Sequence, residues 1–184
     1  MDEPRRIPVP DPSLVVLAGA AGSGKTTFAR RHFAPDEVLS SDAYRGLVAG
    51  DPFDQAATAP AFAALHRELA RRLQTGRLTV VDATNVSPRA RRALLARAAD
   101  ARVPAIAIVL DLPREVVLAR NAARPGRAAV PEDAVRAQLD ALAATLRPDA
   151  SGRHAGLAGF DAVHVLATPA GVDRAEVVRM PRDR

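Results

Sequence analysis

One string limits what this chain can become more than any other: GAAGSGKT, Gly19 to Thr26, directly after the apolar run Leu14–Ala18. It matches G-x-x-x-x-G-K-[ST] in full, and it sits where that motif must sit, between a strand and a helix. Glycines at 19, 22 and 24 let the backbone curl until successive N–H groups point inward at phosphate oxygens. A helix opening at Lys25 adds its partial positive charge. The cradle of Gly19, Ala20, Ala21, Gly22, Ser23, Gly24, Lys25, Thr26 and Thr27 is therefore expected to hold the phosphates of a nucleoside triphosphate, ATP. Lys25 would reach the β- and γ-phosphates, and the Thr26 hydroxyl would ligate magnesium. A glycine-rich turn with no ligand is the bland alternative.

Lysine usage points to the same loop. Of the 26 basic residues, 25 are arginine and the single lysine is Lys25. The Ala/Arg-heavy composition is that of a GC-rich genome, and a lysine kept against it marks a place where a compact ammonium serves and a planar guanidinium does not.

Short apolar runs alternate with helical periodicity along the rest of the chain. Strands are expected at Leu14–Ala18, Glu37–Ser40, Leu78–Asp82, Ala105–Leu110 and Asp161–Ala167. Helices are expected over about Lys25–His32, Asp42–Val48, Gln55–Gln74, Ser87–Ala99, Pro113–Ala123 and Pro131–Leu146, with a short terminal one near Asp173–Arg179. Residues 1–12 hold four prolines and read as an irregular lead-in to a single domain over 13–184. Apolar strands separated by helices imply α/β architecture with a buried parallel sheet. With the Gly19–Thr26 loop, this pattern resembles a P-loop NTPase kinase-type three-layer sandwich, and that resemblance implies five parallel strands in the order 2-3-1-4-5 with a helical lid over about 120–131.

Ligands of such sheets bind beyond the carboxyl ends of the strands, and the polar candidates gather there. Asp42, in Ser40-Ser41-Asp42-Ala43-Tyr44-Arg45, could take the proton of an attacking hydroxyl. Arg45, one turn on, could grip an acceptor phosphate with its fork. Taken alone, the same pair also reads as a helix cap and a surface ion pair. Asp82 ends the third strand, where a carboxylate can hold magnesium or its waters, or merely cap. Asn85 would touch the acceptor or cap the next helix. Arg120, Arg124 and Arg127 share one helical face and suit a lid that neutralises a transferring phosphoryl group; a solvated stripe is the competing reading. The Thr168-Pro169 turn occupies the place where P-loop kinases, which the chain resembles, often seat the adenine. His32, His66, His154 and His164 have no metal-ligand spacing and receive no role. An N-K-x-D guanine element is impossible, because the only lysine is already committed.

Together these strings (GSGKT, LSSDAYRGLV, TVVDATN and ARNAARPGR) resemble the polynucleotide 5′-kinases, particularly the kinase module of bacterial RNA-repair polynucleotide kinase–phosphatases and the kinase domain of the phage enzyme. The resemblance spans roughly Ser13 to Val178. It implies that Asp42 is the general base toward a 5′-hydroxyl of RNA or DNA. It implies that Arg45 binds the phosphate beside that terminal nucleoside, and that Arg120 and Arg124 contact ATP phosphates from the lid. The chain departs from the family in carrying no phosphatase or ligase module. Near the acceptor position its only aromatics are Tyr44 and Phe53. A small-molecule kinase of the zeta-toxin or antibiotic-phosphotransferase kind is the alternative, and a non-catalytic nucleotide switch a third.

Composition narrows little else. The net charge of +5 is spread along the chain rather than gathered in one run, and aromatic content is 3%, poor material for a base-stacking platform. There is no cysteine, hence no disulfide and no thiolate metal site. No apolar run approaches a membrane span and no signal peptide is visible, so a soluble cytoplasmic domain is expected, with its oligomeric state open.

Overall fold

The computed structural model describes residues 5–181 except positions 53 and 55. Its centre is a parallel sheet of five strands: β2 (Leu14–Ala18), β3 (Val38–Ser40), β4 (Thr79–Asp82), β5 (Ala105–Leu110) and β6 (Ala162–Leu166). With β1 (Arg6–Asp11) preceding them in sequence, the order is β3-β4-β2-β5-β6. This is the order expected from the sequence, and the fold is that of a P-loop kinase. The central strands β2, β4 and β5 are buried along their whole length. That explains their unbroken apolar character: each must satisfy a helical layer on both sides.

Alternate residues feed the two layers. Val15, Leu17, Val80, Ile108 and Leu110 pack with Phe28, Ala29 and Phe33, at and just past α1 (Lys25–His32). Leu14, Val16, Leu39 and Val81 face the other way, onto Leu65, Leu69 and Leu73 of α3 (Thr58–Gln74, after α2, Ser41–Ala49) and onto Leu94 and Ala98 of α4 (Pro88–Asp100). The same α4 begins as expected, with the Ser87 hydroxyl accepting from the Ala90 N–H and Pro88 at the first turn. Then come α5 (Arg114–Ala122), α6 (Glu132–Thr145) and α7 (Pro169–Arg174). Among the described residues no helix is long and apolar enough to cross a membrane.

Two expectations are corrected at the chain ends. Residues 6–11 are not an irregular lead-in; they form β1, which pairs in parallel with β7 (Glu176–Pro181) in a separate two-stranded sheet. Ile7 and Val9 are wholly buried in the α1-side core. Prolines at 8 and 10 are compatible with this because a strand with one neighbour uses only alternate N–H groups. The second correction is at 173–179, where α7 ends at Arg174 and the chain extends into β7 instead of continuing as helix. Both misreadings share a cause, since these strands are stabilised by a partner about 170 residues away in sequence. The long helix begins at Thr58; the expected start at Gln55 lies outside the described residues.

Candidate active site

The loop between β2 and α1 lies at the carboxyl end of the sheet, and its geometry depends on its neighbours. The Gly19 N–H donates to the Thr84 carbonyl at 3.0 Å and the Ser23 N–H to the Ala20 carbonyl at 3.1 Å. Gly22 has φ +89°, and a Cβ placed there would stand 2.5 Å from the Val117 carbonyl and 3.1 Å from the Asn121 nitrogen. Glycine is needed here both for the left-handed turn and for the approach of α5. The first backbone bond of α1 runs from the Phe28 N–H to Gly24. It leaves the N–H groups of Lys25, Thr26 and Thr27 at the head of the helix, outside the intrahelical ladder.

Lys25 is 8% exposed. Its ammonium donates to the Ala20 carbonyl at 2.9 Å and lies 3.5 Å from the Ser23 hydroxyl, both neutral oxygens. Burial pushes its pKa down from 10.5 to about 8, with the Arg124 charge acting the same way and those of Asp82 and Asp42 opposing. Among the described residues no carboxylate is hydrogen-bonded to this buried ammonium, which suits it to receive an anion.

Thr26 and Asp82, expected together at a metal, do meet: the threonine hydroxyl donates to the carboxylate at 2.7 Å. Asp82 is 4% exposed, and burial raises its pKa against the pull of the Thr26 bond and the Lys25 charge. A hydroxyl and a buried carboxylate touching beside the loop form the hard-oxygen pair that a magnesium ion takes. The residues thus fit both groups, a polyphosphate on the amides and Lys25 and a divalent cation at Thr26 and Asp82.

Asp42 lies in the first turn of α2, while the cap is Ser40, whose hydroxyl takes the Ala43 N–H. The capping reading of Asp42 therefore fails. Its carboxylate accepts from Arg45 and its charge is felt at both Lys25 and Asp82. The Arg45 side chain is only 13% exposed, and its Nε donates to the Pro52 carbonyl at 2.9 Å. Tyr44, one of the two aromatics near the acceptor position in sequence, packs partly buried against the α3–α4 core. Phe53 lies outside the described residues.

The three arginines of the expected lid part company. Arg120 brings Nη1 to 3.7 Å from the position a Cβ would take on Gly24, and the Arg124 charge reaches Lys25. Arg124 also donates to the Ala128 carbonyl within its own loop. Arg127 pairs instead with Asp51, in the segment after α2, at 2.8 Å. Two further expectations do not hold. The Ala21 N–H is given to the Gln138 side chain at 2.8 Å, as the Gly19 and Ser23 N–H groups are given to the Thr84 and Ala20 carbonyls, so the expected cradle does not present every one of its amides. Asn85 neither caps a helix nor lines the acceptor side; it is 3% exposed and donates to the Leu17 carbonyl at 2.8 Å. Thr168 caps α7 through the Gly171 N–H.

Other residues shape the site without having been foreseen. Gln138 braces the loop from α6. Asn121 exchanges two hydrogen bonds with the Val130 backbone, at 2.7 and 3.1 Å, and pinches the base of the 122–130 segment. The charge of Arg30 acts on Asp82. Only Arg30 had a local signal, standing one helical turn after Thr26.

Residues 14–148 match the profile of the family described as AAA domain. No curated protein matches the chain in sequence. Among solved structures it is similar to a sugar kinase from Janibacter sp. HTCC2649 (23% identity, TM-score 0.55, covering 85% of each chain). It is similar to Kti12 of Chaetomium thermophilum, solved in complex with ADP-AlF3 (22%, TM-score 0.58, covering 88% of this chain and 94% of that one). It also resembles a chain of the Pnkp1/Rnl/Hen1 complex (26%, TM-score 0.51), covering 59% of this chain and 38% of that longer one.

Proposed function

The chain belongs to the AAA-domain family, and on that premise we propose that it is an ATP-dependent kinase acting on the 5′-hydroxyl end of a polynucleotide. The family and fold support P-loop kinase-type phosphoryl transfer. One observation carries the choice of acceptor: the carboxylate of Asp42, next to a guanidinium fork, stands within electrostatic reach of Lys25 and Asp82. The likeness to a chain of the Pnkp1/Rnl/Hen1 complex supports the same choice.

In this reading the amides of the loop and the Lys25 ammonium bind the β- and γ-phosphates of ATP. Thr26 and Asp82 would hold a magnesium ion, which would supply positive charge to offset that of the phosphates. Asp42 accepts the proton of the attacking hydroxyl as the new P–O bond forms and the bond to ADP breaks in line. Arg45 offers bidentate donors to a phosphate flanking that hydroxyl. Arg120 and Arg124 face the transferring group and offset its charge.

The test is γ-labelled ATP offered with 5′-hydroxyl oligonucleotides, with and without a 3′-phosphate, beside sugars and aminoglycosides. Label on the oligonucleotides alone is expected. Asp42→Ala is expected to abolish transfer with ATP affinity nearly unchanged; loss of both together would remove the assigned role. A small-molecule kinase is the second reading, favoured by the commitment of Arg45 to Asp42 and Pro52. Arg45→Ala separates the two, since a neutral acceptor brings no phosphate for Arg45 to hold. If that variant transfers to every acceptor as well as the wild type, the polynucleotide reading fails.

A further inference from the structure

Helix α4 carries a buried cation that the proposed chemistry does not use. Arg91 is 2% exposed, and its guanidinium donates to the Asn85 carbonyl at 3.0 Å, the Gly156 carbonyl at 3.1 Å and the Thr145 hydroxyl at 3.1 Å. These acceptors are two carbonyls and a hydroxyl, with no carboxylate among them. Enclosing a guanidinium with neutral partners alone is costly, and burial lowers its pKa accordingly. What Arg91 holds in return is the loop after β4.

That loop runs from Asp82 to Asn85 and is fastened at both ends. At one end the Asp82 carboxylate accepts the Thr26 hydroxyl. At the other, Asn85 sits at φ +50° and its Nδ2 reaches back to Leu17, two residues before the phosphate loop. Between them the Thr84 carbonyl takes the Gly19 N–H. Arg91 donates to the Asn85 carbonyl and so ties this end of the loop to α4. Through Thr145 it also engages α6, the helix whose Gln138 braces Ala21.

We propose that Arg91 and Asn85 form a positioning relay that sets the Asp82 carboxylate against the Thr26 hydroxyl and thereby tunes the affinity of that pair for the divalent cation bound with the nucleotide. The relay rests on the Thr26–Asp82 reading of the metal site. Arg91 touches neither nucleotide nor acceptor; it acts through backbone, in the way outer partners of metal ligands do.

The test measures binding, not turnover. A fluorescent ATP analogue is titrated into wild type, Arg91→Lys and Asn85→Gly, in Mg²⁺ and in EDTA. Asn85→Gly keeps the positive φ and the carbonyl that Arg91 holds while severing the tie to Leu17, so it decides the matter if Arg91→Lys does not fold. Wild type is expected to bind more tightly in Mg²⁺, and each folded variant to lose roughly tenfold of that gain with its affinity in EDTA unchanged. Equal losses in both media, or variants with the full Mg²⁺ gain, would overturn the relay and leave the metal reading standing. A wild type indifferent to Mg²⁺ would overturn both.

Discussion

Replacing Lys25 with methionine should make the ligand-free protein more stable while removing its hold on nucleotide. The lysine is enclosed, and its pKa falls from 10.5 to about 8. At neutral pH the folded state therefore carries a burden of about 3 kcal/mol for keeping the ammonium charged. Methionine fills a similar volume without charge. Against that gain stands the bond from Nζ to the Ala20 carbonyl, whose loss costs about 1 kcal/mol. The net expectation is about 2 kcal/mol of added stability at pH 7. The sign with pH follows from the direction of the shift. Because the folded pKa lies below the unfolded one, the unfolded chain binds more protons between about pH 8 and 10.5, and wild-type stability rises through that window. The methionine variant lacks this rise, so its advantage should shrink steadily above pH 8 and be nearly gone by pH 10. Urea unfolding at pH 7, 9 and 10 measures the gap, and nucleotide titration follows affinity in parallel. A variant less stable than wild type at pH 7, or a gap that does not change with pH, would refute the argument that the lysine is held charged at the expense of stability.

Three further substitutions test the packing around the site and at the chain ends. Gly22→Ala and Gly50→Ala both put a side chain at positive φ, a strain of about 1–2 kcal/mol, but only at Gly22 does the new Cβ meet α5 backbone. Gly22→Ala should lose about 1–3 kcal/mol beyond that and weaken nucleotide binding, while Gly50→Ala, with nothing within 4 Å, leaves binding intact; equal losses in urea unfolding would contradict the close approach. Ile7→Ala, at a position with no exposed surface, should destabilise by about 2–5 kcal/mol in the same assay. A near-neutral result would return residues 6–11 to the status of a lead-in.

What the sequence determined by itself is the set of features written in local pattern. Apolar runs specify β2 and β5, the carboxyl ends of β3 and β4, and a parallel sheet, because strands buried on both faces must be apolar throughout; the strand order comes from the likeness to P-loop kinases. GAAGSGKT specifies the phosphate loop, because its glycines and lysine serve neighbours in the chain. The pairing of Thr26 with Asp82 was also legible, since strand ends in such a sheet converge. Only the tertiary structure decided the rest. It put β1 beside β7, gave the Ala21 amide to Gln138, turned Arg127 onto Asp51 and made Asn85 a brace. Each of these depends on a partner distant in sequence, and a single arginine or asparagine reads the same whether it meets a ligand, a carbonyl or solvent. Hydrogen bonds of this kind are directional and short-ranged, so they are settled only once packing has placed donor and acceptor within about 3 Å of each other.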